Sequence, residues 1–323
     1  MTSVDDFADG FPPSSSGRHS LPELLASASA EVLLLGLTPP RRSVSPAEAA
    51  QIANVTVARL GGLDLDGLVL YDIDDESDRN PEQRPFPYLP TMDPVVFHAE
   101  YLSAWRGPVV VYRCVGKYTE AELSEWLHTV DTDRVLSVFV GSSSSRKPAH
   151  TRLDRAHALR DQLRPNLPLG GVTITERYTR HGDEHLRMLT KQERGCSFFI
   201  SQVVYNVDAT KSLLSDYFYA CADRALQPRP VIFTLSVCGS LKTLAFVKWL
   251  GVDVPRWLEN SLQRSRDPLT DSYLQCLANA RELIDFCRNL RLPFGFNVES
   301  VSIRKVEIEA SVLLAKELRT MLR

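Results

Sequence analysis

The sequence predicts an α/β fold: a single-domain (β/α)8 TIM barrel that follows a disordered N-terminal tail. From residue 31 onward, short apolar runs rich in β-branched residues alternate with longer amphipathic runs. That alternation is typical of parallel strand–helix units, and eight such units make one closed barrel. A doubly wound open sheet is the rival, but the TPPRR segment at 38–42 does not resemble its glycine-rich phosphate turn.

Residues 1–28 have a different composition from the rest of the chain. They are rich in Ser, Pro, Gly and Asp, as in FPPSSSG at 11–17. Such a segment cannot bury enough apolar surface to offset the entropy lost on ordering. We therefore predict a flexible N-terminal tail over 1–28 and a barrel domain over 29–323.

The strands are predicted from runs of β-branched and other apolar residues, and the helices from apolar spacing and capping residues. The predicted strands are 31–37, 66–72, 108–114, 134–140, 169–175, 197–204, 229–235 and 294–299. The predicted helices are 46–60, 119–128, 150–163, 183–194, 208–225, 269–291 and 303–322. Ser45 before Pro46 and the pair Thr119–Glu122 are helix-start signals.

Composition and charge exclude several classes of protein. Hydrophobic residues make up 44% and charged residues 24%, as in ordinary globular proteins. The 37 basic residues against 40 acidic ones give a net charge of −3, which argues against nucleic acid as the main partner. No apolar run approaches the roughly 20 residues that span a bilayer, so no membrane partner is expected.

Six scattered cysteines form no CxxC pair, so neither a disulfide framework nor a metal site is predicted. Acidic residues near the N-terminus stand where a signal peptide has basic ones, which predicts a cytoplasmic protein. The sequence leaves the oligomeric state open.

In a (β/α)8 barrel the chemistry lies at the carboxyl ends of the strands. Asp72, which ends the second predicted strand, and Glu176, which follows the fifth, are candidate catalytic acids, and each needs a pKa raised by burial. Ser142 begins the run SSSSRK, which suits an anion-binding loop or a flexible linker. Glu184, Arg187 and Lys191 share one helical face, either as a phosphate-binding set or as a solvated ion-paired surface.

Several segments, in order along the chain, resemble the flavin-dependent methylenetetrahydrofolate reductase family. LLLGLTPPRR at 33–42 and LVLYDIDDESDRNP at 68–81 resemble its first two strand ends. GDEHLRMLTK at 182–191 is similar to its flavin-binding helix, and KQERGCSFFISQVVYN at 191–206 to the strand that follows. The segment 235–262 is similar to a pair of helices near the end of the family's barrel.

The resemblance implies an oxidoreductase of one-carbon metabolism. FAD would take hydride from NAD(P)H and reduce 5,10-methylenetetrahydrofolate to 5-methyltetrahydrofolate, a folate-type small-molecule substrate. Gln202 would orient the pterin as a catalytic and substrate-binding residue. Tyr205 and Asn297 are the other predicted substrate-binding residues. Glu184, Arg187, Lys191 and Ser142 are the predicted flavin-binding residues.

The chain also departs from the family pattern. The family's proton-donating Glu, three residues before Pro-Pro, corresponds to Gly36, which cannot transfer a proton. The family's Arg-Gly-Asp after the fourth strand corresponds to Val140, Gly141 and Ser142. Two further hypotheses therefore stand beside the reductase: a divergent homologue with altered or flavin-free chemistry in a specialised biosynthetic pathway, and a non-catalytic folate-binding or regulatory barrel.

Overall fold

The structure is a computed structural model of the 323-residue chain, and it describes residues 20–27, 31–78, 80–142 and 148–323. Eight parallel strands close into a barrel in sequence order. They are β1 (Glu31–Leu37), β2 (Gly67–Leu70), β3 (Val109–Cys114), β4 (Val135–Val140), β5 (Leu169–Thr173), β6 (Cys196–Val203), β7 (Val231–Ser236) and β8 (Phe294–Glu299). The predicted fold class is confirmed, and each predicted strand overlaps an observed one.

Helices connect successive strands around the barrel. The described helices are α1 (Leu21–Ala26), α2 (Pro46–Leu60), α3 (Pro94–Tyr101), α4 (Glu120–Thr129), α5 (Leu153–Leu163), α6 (Thr175–His181), α7 (Glu184–Glu193), α8 (Val207–Asp223), α9 (Leu241–Trp249), α10 (Arg256–Arg264), α11 (Pro268–Leu290) and α12 (Lys305–Met321). The predicted capping box Thr119–Glu122 forms, and the predicted N-cap Ser45 also makes a capping box with Glu48. Helices α3 and α6 were not predicted, since each is short and carries few apolar repeats.

The first described helix corrects the predicted extent of the N-terminal tail. Ser20 caps α1 in a capping box with Glu23, and Leu21 and Leu25 are buried. A Cβ built at Gly67, the first residue of β2, would lie 3.0 Å from Leu21 Cδ2. The two leucines therefore pack at the amino end of the barrel, and the prediction of a flexible tail is wrong for residues 20–27. Residues 1–19 and 28–30 lie outside the described residues.

The apolar core has two main layers, because side chains alternate across a strand. One layer fills the barrel and includes Val32, Leu34, Val69, Val110, Leu136, Val138, Phe198, Ile200 and Ile232. The other lies between strands and helices and includes alternate residues such as Leu33, Leu35 and Leu68. The same alternation continues to the carboxyl ends of the strands. A polar residue there faces the barrel mouth only if it lies on the inward side of its strand.

Candidate functional site

The carboxyl end of the barrel brings together polar side chains from β8 and from the segment just after β2. Asn297 pairs in register with Leu34 on β1, and Glu299 pairs with Ser236 on β7. Partners in a parallel pair face the same side of the sheet, so Asn297 and Glu299 lie on the inside, as Leu34 does. Tyr71, directly after β2, packs against the same interior cluster.

Gly36 on β1 lies at the point where these side chains meet. A Cβ built there would be 2.9 Å from Tyr71 Cε2, 3.1 Å from Glu299 Cβ and 3.2 Å from Asn297 Oδ1. The first of these distances is shorter than a real Cβ contact, so a residue with a side chain would displace Tyr71. Glycine at position 36 thus lets Tyr71 lie across β1 toward β8.

Hydrogen bonds connect the three polar side chains into a chain. The Asn297 amide donates to the Tyr71 hydroxyl at 2.7 Å and more weakly to Thr234 Oγ1 at 3.4 Å. The Glu299 carboxyl lies on the other side of the Tyr71 hydroxyl, which acts as a donor toward it and lowers its pKa. The Tyr71 ring lies 5.0 Å from that of Tyr112, centroid to centroid. The carboxyl group therefore lies beside a phenol whose hydroxyl is held by Asn297.

The electrostatics of this cluster favour proton exchange near neutral pH. Burial raises the pKa of Glu299 to about 7, and the hydrogen bond from Tyr71 offsets part of that effect. Burial, together with the nearby Glu299 charge, raises the pKa of Tyr71 well above its usual value. A carboxyl group that titrates near pH 7 suits an acid–base role, while Tyr71 stays protonated as a hydrogen-bond donor.

The other side of the mouth is less polar. Val140 and Val172 pack against the interior cluster and are only partly buried. Gln202 follows an irregularity in the β6–β7 pairing between Ile200 and Val203, and is partly buried as well. Its amide donates a long 3.4 Å hydrogen bond to the Leu250 carbonyl. The mouth thus has a polar wall at β8 and β2 and a more apolar wall at β4 and β5.

The structure gives Glu176 a contact with the loop before α10. Its Oε1 accepts a 2.9 Å hydrogen bond from the Asp253 backbone, whereas Oε2 is buried with no partner among the described residues. Burial raises the pKa of this carboxyl. Asn206 donates to the Asp253 carboxylate at 2.6 Å, which holds the same loop. The pKa of Glu176 is raised, as a catalytic acid requires. Its carboxyl, however, is used to hold the loop before α10.

Asp72, the other predicted acid, joins β2 to β3. Its carboxylate accepts hydrogen bonds from the Cys114 backbone at 2.8 Å, from Lys117 Nζ at 2.5 Å and from the Tyr118 hydroxyl at 2.9 Å. Both oxygens are occupied, and the side chain is buried beside Lys117. This arrangement favours a structural role over proton transfer.

Glu184, Arg187 and Lys191 do share a helical face, but most of it is turned into the protein. Glu184 is fully buried and accepts from the Ile174 backbone at 3.1 Å, with Lys191 Nζ 3.7 Å away. Lys191 donates to the Val172 carbonyl on β5. Arg187 is half exposed and pairs with Asp183 at 3.3 Å.

These residues do not fit the flavin phosphate site that the resemblance implied. Lys191 is already used by a buried carboxylate and a backbone carbonyl, which leaves Arg187 alone to meet an anion. Ser142 lies at the edge of the mouth after β4, and residues 143–147 of its serine-rich run lie outside the described residues. These side chains therefore do not form a phosphate-binding site for a flavin.

Tyr205 and Asn297 differ in position, although both were predicted to bind substrate. Tyr205 is buried between β6 and the α9–α10 region, and its hydroxyl donates to the Ser236 carbonyl at 2.7 Å. Tyr205 therefore contacts the end of β7 from the helix side of the barrel and does not face the mouth. Asn297 lies inside the barrel, and its Oδ1 has no partner among the described residues.

A segment between β2 and α3 flanks the mouth on the polar side. Asn80 donates to the Trp249 carbonyl at 3.0 Å, and Trp249 Nε1 donates to the Glu82 carbonyl at 2.9 Å. The Arg84 guanidinium lies 5.1 Å from the Phe246 ring and 5.3 Å from the Trp249 ring. Residues 80–92, which we name the strap, therefore connect β2 to α9.

The described residues contain neither a metal centre nor a membrane-spanning helix. In that part of the chain no group of three or more His, Cys, Asp and Glu side chains is placed to hold a metal ion. None of the described helices has the length and apolar character needed to cross a membrane.

Sequence reasoning missed the two residues that define the polar wall, Tyr71 and Glu299. Both lie within the predicted strand-end segments, where Asp72 and Glu176 were the preferred candidates. The available signal was the spacing of two between Asn297 and Glu299, which places both on one face of a strand. Nothing in the sequence indicated that the Tyr71 side chain would lie over Gly36 of β1 and reach Asn297 and Glu299 on β8.

Comparisons with known proteins add one strong likeness. An uncharacterized protein from Clostridium thermocellum, which binds two copies of 5-methyl-5,6,7,8-tetrahydrofolic acid, is 40% identical to this chain. The match covers 93% of this chain and 99% of that protein, with a TM-score of 0.83. No protein-family model and no curated protein matches the chain.

Weaker likenesses carry no argument about function. The Plasmodium falciparum HPPK-DHPS with pterin and p-hydroxybenzoate is 10% identical, with a TM-score of 0.45 over 88% of this chain and 48% of that one. The Thermus thermophilus dihydropteroate synthase in complex with 4-aminobenzoate is 14% identical, with a TM-score of 0.43 over 90% of this chain and 95% of that one.

Proposed function

We propose, from the premise that the chain belongs to the same family as the Clostridium thermocellum protein, that it binds a reduced folate at the carboxyl end of its barrel. The observation that carries the proposal is 40% identity over nearly the whole of a protein that binds 5-methyltetrahydrofolate. Agreement over the whole length makes a shared ligand class more plausible than fold alone would.

The chemistry of the mouth supports this ligand class. A reduced folate has a flat 2-aminopyrimidinone ring, with hydrogen-bond donors and acceptors on its edge, fused to a puckered and more apolar reduced ring. The polar wall offers the Glu299 carboxyl and the Tyr71 hydroxyl, and the opposite wall offers Val140 and Val172. Sites for small ligands combine a few fixed polar groups with apolar surface in the same way.

Isothermal titration of the purified full chain with 5-methyltetrahydrofolate tests the proposal. We expect saturable binding. The stoichiometry of the titration can be compared with the two copies that the relative binds. p-Aminobenzoylglutamate, which lacks the pterin, is the control ligand and should bind much more weakly. Absence of saturable binding by 5-methyltetrahydrofolate would overturn the proposal.

An enzyme acting on a folate-linked one-carbon unit is the second candidate. It is favoured by Glu299, whose carboxyl titrates at about pH 7 beside Gly36, the position at which the reductases carry their acid. We propose Glu299 as the residue that would hold the transferable proton in such a reaction. The poor fit of Glu184, Arg187 and Lys191 to a flavin phosphate favours flavin-free chemistry.

The absorption spectrum and a turnover assay test this second candidate. A colourless preparation that does not take up added FAD, and that does not oxidise NAD(P)H with methylenetetrahydrofolate, would exclude the reductase and leave the binding function standing. Flavin absorption together with turnover would instead establish the reductase and show that the flavin is held by other residues.

A further inference from the structure

The position of Glu299 in the barrel mouth limits how a ligand can bind there. Its side chain lies beside Tyr71, since both come within about 3.1 Å of a Cβ built at Gly36, and the Tyr71 hydroxyl is held by the Asn297 amide at 2.7 Å. Asn297 is fully buried, whereas Tyr71 and Glu299 are partly exposed. The carboxyl is therefore the innermost charged group of this chain of hydrogen bonds that a ligand entering the mouth can reach.

An oriented carboxylate accepts two parallel hydrogen bonds from a pair of adjacent N–H donors. The 2-amino-4-oxopyrimidine ring of a pterin presents such a pair, N3–H and the exocyclic 2-amino group, on one edge. The other end of a folate carries carboxylates, which Glu299 would repel. The two ends of the ligand are thus distinguished by charge.

Tyr71 limits the orientation of the carboxyl further. Because the Asn297 amide donates to the Tyr71 hydroxyl, the hydroxyl proton is directed to Glu299 and not to Asn297. The phenol then uses one lone pair of the carboxylate, and the other lone pairs stay available to a ligand, because Glu299 is partly exposed. Gly36 is required for this arrangement, since a Cβ there would be 2.9 Å from the Tyr71 ring.

We infer that Glu299 is the specificity-determining residue of this barrel, binding the paired N–H donors of a 2-aminopyrimidinone ring, with Tyr71 as its positioning residue. The inference rests on the proposed function and adds an orientation to it: the pterin binds innermost, and the p-aminobenzoylglutamate end lies toward solvent. Val140 and Val172 provide apolar surface on the opposite wall of the mouth.

The test combines a change in the protein with a change in the ligand. Affinities of the native chain and of Glu299→Gln are measured for tetrahydrofolate and for its 2-deamino analogue, which lacks one of the two donors. In the native chain, loss of the amino group should weaken binding about 10- to 100-fold, as expected for hydrogen bonds to a charged group. In Glu299→Gln the same change should cost less than about threefold, because the two changes remove one interaction.

Two further variants distinguish a positioning role of Tyr71 from a general disturbance of the fold. Tyr71→Phe should weaken tetrahydrofolate binding while leaving the 2-deamino analogue nearly unaffected, a difference that a merely structural role would not produce. Glu309→Gln removes an exposed carboxylate of α12 and should leave both affinities unchanged. The comparison of the two ligands on the native chain does not depend on whether any variant folds.

Equal losses on deamination in the native chain and in Glu299→Gln would overturn the inference, as would equal binding of both ligands by the native chain. These outcomes differ from failure of the proposed function, in which the native chain binds neither ligand.

Discussion

Asn297 on β8 donates a 2.7 Å hydrogen bond to the hydroxyl of Tyr71, which follows β2, although β1 lies between these two strands. The bond crosses β1 above Gly36, where a Cβ would be 2.9 Å from the Tyr71 ring and 3.2 Å from Asn297 Oδ1. Three neighbouring strands are thus joined by side chains as well as by their backbone ladder. The candidate site depends on that connection, because Tyr71 orients Glu299.

Gly36→Ala should destabilise the protein. The added methyl group must displace Tyr71, and overpacking of this kind costs about 1–3 kcal/mol. Urea denaturation measures the change in free energy of unfolding. Gly62→Ala is the matched control, because a Cβ there meets nothing within 4 Å. Equal effects of the two substitutions would contradict the steric account of Gly36.

Asn297→Ala should lower the free energy of unfolding by about 1–3 kcal/mol, because it removes a buried amide and the hydrogen bond that the amide donates to the Tyr71 hydroxyl. Asn166→Ala is the control: the exposed Asn166 amide donates to Thr132 Oγ1 at 2.9 Å, and its loss should cost less than about 0.5 kcal/mol. Urea denaturation of both variants measures the contrast, and equal losses would contradict a stabilising role for Asn297.

The stability contribution of Glu299 should depend on pH. Its folded pKa of about 7 exceeds the ordinary value of 4.5, so the folded state holds the proton more tightly. The contribution is complete below about pH 4.5 and is lost as the pH rises through about 7. Relative to Glu299→Gln, the native chain should therefore lose up to about 3 kcal/mol between pH 5 and pH 8.

Urea denaturation of both proteins at the two pH values provides the measurement. Taking the difference between native chain and variant removes the contributions of other buried carboxyls, such as Glu176 and Glu184. A difference that does not change with pH would mean that the Glu299 pKa is not raised in the folded protein.

Lys191→Met should destabilise the protein strongly, by about 3–5 kcal/mol, because it removes the nearer cation of the buried Glu184 carboxylate and leaves only the half-exposed Arg187, at 4.0 Å, paired with it. The double variant Lys191→Met with Glu184→Gln should recover much of that loss. Lys305→Met, in an exposed pair with Glu309 at 3.5 Å, is the control and should have little effect. If Lys191→Met were harmless to folding and abolished flavin binding instead, the predicted cofactor role would be restored.

Arg84→Met should loosen the strap. The guanidinium lies against the Phe246 and Trp249 rings, and loss of such contacts is worth about 1–2 kcal/mol. Limited proteolysis with chymotrypsin should then cut after Tyr88 about 5- to 30-fold faster; Phe86 is followed by Pro87 and is not a chymotryptic site. Arg152→Met, at an exposed Arg152–Asp154 pair elsewhere, should leave the cleavage rate unchanged.

The architecture could be predicted from the sequence, because it depends on local periodicity. The apolar runs at 31–37 and 294–299 match β1 and β8 residue for residue. Capping residues such as Ser45 and Thr119 act within one helical turn, so their role is visible in a short window. The helix of residues 21–26 was missed because only a barrel end offers its two leucines a place to be buried.

The candidate site was only partly predictable, because it depends on contacts between residues far apart in the chain. Asn297 was expected at the mouth and lies there, since its strand position fixes its face. Lys191 and Glu184 were recognised as neighbours, but only the packing of α7 against β5 makes them a buried pair.

The sequence by itself determined that eight strand–helix units follow one another, and that position 36 carries no acid. Only the tertiary structure decided which carboxyl takes the central place in the mouth. Closure of the barrel places β8 beside β1 and brings Glu299 against Gly36, 263 positions earlier in the chain (299 − 36). Burial there raises the pKa of Glu299, and burial is a property of the closed barrel, not of any segment of its sequence.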